Sequence, residues 1–474
     1  MPEPPVAVTA ELSRFVAGSA AAAWPEKILE LGRRHILDTI AAIVVCGERD
    51  SARLAREFAV RHSGNPALGG IAPALRGGAM SIGAPILGTR LRAGLPDAIF
   101  ASAMTAHGAE INDFCPSAFV QPGPAVVSAA ICVAAVDHAP GAALLRAVIT
   151  GYELSCRLPK ALGVEHGRRI GYSSHGYGPV FGTAATIASL RQYPEATVNH
   201  MLSYCAQQAS GSLQWLLDIG HVEKSFVFAG MPARNGVYAA LLAEAGFTGV
   251  PDSLDAKGGW FASRMFSDEG SDWNPHYLVE QLGTRFEMPL VAYKRFPVGG
   301  PTQPVVQAML ALLPRVRRER IDRIEIEMPG SVSVFANAQM PALNLPYLCS
   351  VILVDGTLTF ETADSRERMA TDTEVRRLMA RVTVQHDPAQ EAVPRKESAR
   401  VTIWLHDGSR ESAFVEHVLG YPANPMTHED VEAKARELMS PVLGAAPTTA
   451  LIDLVWRIDD LPDAGVLAAA MVPG

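Results

Sequence analysis

His107, Glu110, Asn112 and Asp113 stand within seven residues of one another, in the stretch AHGAEINDFCPSAFVQPGPAVV that begins at Ala106. A Pro-Gly-Pro turn then leads into an almost wholly apolar segment. Polar groups at the edge of a buried helix are costly unless they find partners. These groups therefore satisfy one another or await a ligand. An imidazole beside two carboxylates suits general acid–base work. If residues 106–114 are helical, His107, Glu110 and Asp113 share one face at i, i+3 spacing. Such a trio would either hold an imidazole in one orientation or share a proton between its carboxylates, one of them then held above its usual pKa.

Three further clusters carry chemistry-bearing residues. RRIGYSSHGYGPVFGTAA (168–185) places His175 among glycines. No strand precedes it and its glycine spacing misses the dinucleotide fingerprint. It reads as a loop ahead of a helix N-terminus, where free N–H groups receive an anion and His175 supplies a proton or a charge. In DIGHVEKSFVFAGMPARNG (218–236), Lys224 either snorkels to the surface or is aimed at a carboxylate. In VAYKRFPVGGPTQPVVQAML (291–310), Lys294 and Arg295 precede a turn and a helix start, which suits anion capture. Neither HxH, HExxH nor CxxC occurs and the thirteen histidines are dispersed, so the residues give metal binding little support. GxSxG is absent too. The remaining inventory of His, carboxylate and Lys suits acid–base chemistry on a negatively charged substrate.

These residues need rigid elements to hold them. Leu29, Ile36, Ile40 and Ile43 recur at helical spacing after Pro25. Ala-rich helical text follows at 51–62, 97–108, 124–137, 141–162, 179–191, 195–209 and 231–246, with Gly and Pro clustered between, as at Gly69–Gly88 and Gly167–Gly182. No strand is expected in the first 265 residues. After about residue 270 the pattern changes: 320–330, 382–387 and 399–417 alternate at period two, with Asp407-Gly408 as a hairpin turn. Helices are expected at about 302–315, 344–354 and 370–381. Helical text returns at Thr427, where Thr427 and Asp430 form a capping-box start. The fold class is mostly α: a large helical domain from both chain ends (1–268 and 419–474) with an inserted α+β lid domain (269–418). The cleft between them is the natural ligand site.

The 474 residues are 48% apolar and 19% charged, as in a globular protein with a sizeable core, and carry a net charge of −8. That balance argues against nucleic acid as the main partner. No uninterrupted apolar run reaches the ~18 residues that would span a bilayer, and no signal peptide is visible. Six scattered cysteines fit a reducing compartment, so a cytoplasmic protein is expected.

In order along the chain, FVAGSAAAAWPEKILELGRRHILDTIAA, AHGAEINDF…QPGPAVV, AQQASGSLQWL…GMPARNGVYAALLAEAGFTG, KRFPVGGPTQPVVQA, LNLPYLCSVILVDG and GYPANPMT resemble the MmgE/PrpD family of 2-methylcitrate dehydratases, cis-aconitate decarboxylases and iminodisuccinate epimerases. The resemblance implies a helical domain from both chain ends with an α+β lid, a homodimer, and no metal or nucleotide cofactor. It also implies proton transfer next to a carboxylate of a small di- or tricarboxylic acid. Lys224 and Lys294 match lysines of the family and His175 lies near a family histidine; on that basis Lys224, Lys294 and Arg295 are expected to hold the substrate's carboxylates and His175 to do general acid/base work. His107 or the Glu110/Asp113 pair would be the partner of His175. Glu110 falls where many members have Asp. The family's His-Pro turn is here Gln121-Pro122, and Val298-Gly299-Gly300 stands where decarboxylases place another histidine. Glutamine hydrogen-bonds but takes no proton at neutral pH, so Gln121 would orient a substrate oxygen. The implied activity is a dehydratase-type lyase before a decarboxylase, with an epimerase or a catalytically silent carboxylate binder as alternatives.

Overall fold

The computed structural model describes residues 7–63, 83–255, 259–260, 263, 272–391 and 397–474. The expected boundary at residue 268, and the Gly69–Gly88 stretch as far as residue 82, lie outside them. The described chain is mostly helical.

Helices Glu26–Val45, Leu95–Ala106, Gly123–Asp137, Gly141–Leu162, Ser174–Leu190 and Met231–Glu244 share one large core. The helix Gly123–Asp137 is apolar all round and is buried from Gly123 through Ala134, which makes it a central element rather than a surface one. Helices Gly141–Leu162 and Ser174–Leu190 touch backbone to backbone. A Cβ on Gly182 would lie 2.6 Å from the Gly151 carbonyl oxygen, and one on Gly151 would lie 2.2 Å from Thr186 Oγ1. Only glycine permits that approach. The C-terminal helices His428–Leu443 and Ala445–Trp456 return to the same core through Val431, Leu438, Met439, Leu451 and Ile452. At the first of them, Thr427 Oγ1 accepts from Asp430 N at 3.2 Å and Asp430 accepts from Thr427 N at 2.9 Å.

A second core gathers residues between Ala292 and Tyr421. Helices Gln303–Leu312, Leu345–Asp355 and Thr373–Met379 contribute to it beside a four-stranded sheet in which Val382–His386, Ile321–Met328, Ala399–Leu405 and Arg410–Val415 are neighbours in that order. Its strands are β3 (Ile321–Met328), β4 (Val382–His386), β5 (Ala399–Leu405) and β6 (Arg410–Val415). β3 runs parallel to β4 and antiparallel to β5, and β5–β6 is the hairpin closed through Asp407-Gly408.

Three expectations are corrected. A strand pair does occur early, β1 (Ala84–Pro85) with β2 (Arg92–Ala93), but two residues each are too few to show a period. The helix expected from residue 179 begins at Ser174, so Gly176 and Gly178 are helical rather than loop. Their glycines serve close packing: a Cβ on Gly176 would lie 2.1 Å from Ser210 O, and one on Gly178 would lie 2.6 Å from Ser155 O. Finally, residues 107–114 are not helical. The preceding helix ends at Ala106 and the chain turns at Gly108, where a Cβ would meet Cys46 Cβ at 2.8 Å. Among the described residues no helix is long and apolar enough to cross a membrane.

Candidate active site

The turn after Ala106 sends Glu110 and Asp113 to different partners. Glu110 Oε2 accepts from Lys294 Nζ at 2.7 Å, and its Oε1 accepts from Lys224 Nζ and lies 3.2 Å from His221 Nε2. Glu110, Lys224, Lys294 and His221 are 2%, 4%, 1% and 4% exposed, so four ionisable groups meet with almost no water. Two ammoniums against one carboxylate leave a positive excess, a standing invitation to an anion.

Each lysine is placed by backbone devices. Lys294 follows the bridge in which Phe114 N donates to Ala292 O at 2.9 Å and Ala292 N to Phe114 O at 2.7 Å; this lays segment 292–295 beside the Glu110 turn. Lys224 lies on the short helix Val222–Ser225, whose start is held by Asp218 accepting from Gly220 N and Lys224 N, each at 2.8 Å. A π-turn, Phe226–Gly230, then joins it to Met231–Glu244. Such bulges recur at functional sites because they re-aim side chains. Here the turn delivers Phe228, whose ring stacks on His175 at 3.6 Å and meets His107 edge-on at 4.9 Å. Lys224 Nζ also lies 5.3 Å over Trp215 and 5.4 Å over Phe228, so the ammonium has aromatic faces as well as a carboxylate.

The electrostatics follow. Burial alone would raise the Glu110 pKa, but Lys224, Lys294 and the His221 hydrogen bond outweigh it and hold the carboxyl well below its usual range. His107 is driven the other way. Burial, then the neighbouring His221 at 5.0 Å, depress its imidazole well below the usual 6.5, so it is neutral at physiological pH. Neither of its ring nitrogens has a hydrogen-bond partner among the described residues. Because its folded pKa is depressed, the unfolded chain takes up this proton first on acidification, and stability falls as pH drops below about 6.5. Thermal unfolding midpoints from pH 7 to 5 should fall for the wild type and fall less for His107→Gln.

Residues 10–273 match the MmgE/PrpD N-terminal domain and residues 296–460 match the MmgE/PrpD C-terminal domain. The chain belongs to the MmgE/PrpD family. It is 24% identical over 257 residues to a cis-aconitate decarboxylase of Homo sapiens, a match covering 51% of each chain, so it spans about half of that relative's length. A cis-aconitate decarboxylase-like protein of Aspergillus oryzae is 25% identical over 68% of this chain and 72% of its own. A cis-aconitate decarboxylase of Aspergillus terreus is 26% identical over 65% and 68%.

In this MmgE/PrpD protein the residues singled out in the sequence separate into two groups. Lys224, Lys294 and Glu110 converge, with His107 and His175 linked to them through Phe228. Arg295 faces away to Glu437 at 3.1 Å, a third exposed. Asp113 shares no proton with Glu110. It accepts from Gly123 N at 3.1 Å, at a helix N-terminus, and from Tyr152 Oη at 2.5 Å, and lies 3.1 Å from His35 Nδ1. Gly123 is required there, since a Cβ would lie 2.7 Å from the Asp113 carboxylate. Gln121 Oε1 accepts from Asn112 Nδ2 at 2.8 Å, which braces the same turn. Sequence reasoning missed His221, although it stands three residues before Lys224 and the i, i+3 relation was in plain view. It also missed Lys434, which donates to Asp38 Oδ1 at 2.6 Å and to Ile111 O at 2.8 Å from the far end of the chain. Among the described residues no group of His, Cys, Asp and Glu could hold a metal ion.

Proposed function

We propose that this MmgE/PrpD protein is a lyase that eliminates water from a small di- or tricarboxylic acid by general acid–base catalysis. The observation that carries this reading is the pair of buried ammoniums, Lys224 and Lys294, meeting one carboxylate beside an imidazole held neutral. A substrate carboxylate drawn to that positive excess loses electron density, and its α C–H becomes more acidic. His107 takes that proton and His175 gives one to the leaving hydroxyl. The C–O bond breaks, a C=C bond forms, and water departs, so atoms and charge balance. Proton transfer by positioned groups of this kind contributes about 10²–10⁴-fold.

Decarboxylation is the second reading, favoured by the names of the relatives. There a C–C bond breaks, carbon dioxide leaves, its electron pair stays on carbon, and a protonated His175 rather than the neutral His107 donates the proton that replaces it. Proton NMR in D₂O with citrate, 2-methylcitrate and cis-aconitate separates the two. An alkene formed with loss of a C–H signal supports dehydration; a product one carbon shorter with deuterium incorporated supports decarboxylation. Turnover of none of these acids, with no thermal stabilisation by any, would remove both. Lys294→Met should weaken citrate binding by roughly 10–100-fold, the worth of one charge-assisted contact in a dry site. Isothermal titration of the variant checks this, and unchanged affinity would exclude Lys294 as a carboxylate ligand.

A further inference from the structure

We propose that residues 210–220 form a gate over the Glu110 site and that Trp215 is its latch, the side chain that leaves Lys224 to admit an acid substrate and returns to shut water out behind it. The inference rests on the carboxylate-binding reading above and adds the way in.

The site as it stands is shut. Glu110, Lys224, Lys294 and His107 are each 4% exposed or less. An acid the size of citrate reaches neither ammonium unless a wall moves. Residues 107–116, 227–233 and 291–294 are buried throughout, and displacing them would expose core side chains such as Ile111, Phe228 and Val291. The segment 210–220 differs. Only Trp215 in it is buried, and Leu217 is 81% exposed. It is a single layer of chain between the site and solvent. Lys224 Nζ stands 5.3 Å from the Trp215 ring, which also meets Phe228 at 4.6 Å and His175 at 5.7 Å, both edge-on. One side chain thus covers a substrate-binding lysine and an acid–base histidine together.

The attachments of the segment suit a gate. At one end Leu213 N donates to Gly171 O and Ser173 N to Gly211 O, each at 3.1 Å. At the other, Asp218 accepts from Gly220 N and Lys224 N. The chain turns at both ends through left-handed backbone, with φ +139° at Gly211 and +57° at His221. Hinges are a few such loop residues, which absorb the change in φ and ψ. Between the ends the segment is held by side chains: Trp215 Nε1 donates to Ser173 Oγ at 3.1 Å, and Gln214 Nε2 to Glu223 Oε1 at 2.6 Å. Sparse buried contacts of this kind mark segments that open locally. Because Asp218 also holds Lys224 N, opening loosens the lysine. Closing over a bound acid returns Trp215 to it, and the expulsion of water strengthens the carboxylate contact.

The test uses the full-length protein. Hydrogen–deuterium exchange should show amides 212–220 exchanging at least ~10-fold faster than those of helix Ser174–Leu190, and citrate should slow them toward the helix rate. Gln214→Cys/Glu223→Cys then lets the gate be tied shut by a short bis-maleimide with a disulfide in its linker. The six native cysteines are buried, so the reagent reaches the introduced pair. Calorimetric titration with citrate should give no binding heat while the tie is intact, and the wild-type heat once a reductant has cut it. If the variant fails to fold, the exchange comparison on the wild type still decides. Equal exchange of segment and helix overturns the gate. Citrate binding to the tied protein overturns it too, and leaves the carboxylate site standing. Absence of citrate binding by the wild type overturns both.

Discussion

Replacing Glu110 with Ala should lower folding stability by about 3–5 kcal/mol, the usual consequence of removing one partner of a buried ion pair. The carboxylate is 2% exposed and serves two lysines at 4% and 1%. Its loss leaves two ammoniums in a dry cavity with no counter-charge. Glu110→Gln should recover part of the loss, since an amide oxygen still accepts a hydrogen bond, but no neutralisation returns. Urea unfolding at pH 7 measures both. The acid limb offers an independent check. Because Lys224 and Lys294 hold the Glu110 carboxyl well below its usual 4.5, its contribution is complete above that pH and is lost as pH falls toward the lower folded value. The Ala variant should lack this segment of the stability–pH curve. Citrate should stabilise the Ala variant more than the wild type, because the vacated cations then receive its carboxylate directly. Stability within 0.5 kcal/mol of wild type, about the spread of neutral surface substitutions, would mean that the lysines reach water in solution.

Lys434→Met should be nearly as damaging, also by about 3–5 kcal/mol, although it lies outside the Glu110 cluster. Lys434 Nζ bonds Asp38 Oδ1 at 2.6 Å and Ile111 O at 2.8 Å, with both side chains essentially buried. Burial raises the Asp38 pKa and lowers that of Lys434, and on each residue it outweighs the attraction of the other. The pair is therefore strained toward neutrality and depends on both members. The double variant Asp38→Asn/Lys434→Met should be more stable than the sum of the single effects by more than ~0.5 kcal/mol, the coupling expected of contacting residues. Because Lys434 also holds the carbonyl next to Glu110, the single variant should raise KM for the acid substrate. Additive single effects in denaturant unfolding would show that the two groups are independent.

Much of this molecule was legible in its residues. The apolar run from Gly123 could only be a buried helix, and the period-two text of 320–330 and 399–417 could only be half-buried strand. Asp407-Gly408 marked its hairpin, and Thr427 with Asp430 marked the start of the returning tail. Those features depend on neighbours a few positions apart, where helix and strand periods operate. Lys224 and Lys294 were legible as unusual lysines for the same reason, each being a charge set in apolar or turn-forming text. What they meet was not. Glu110 lies 114 positions from Lys224 and 184 from Lys294, and nothing local distinguishes it from Asp113, which caps a helix, or Arg295, which faces Glu437. The Gly176–Gly178 text looked like an anion cradle because glycine serves close packing and loop geometry equally well. The residues themselves determined the helices, the strands and the acid–base inventory. Only the tertiary structure decided which carboxylate neutralises which cation, because burial and long-range pairing assign charge, and neither is a property of sequence spacing.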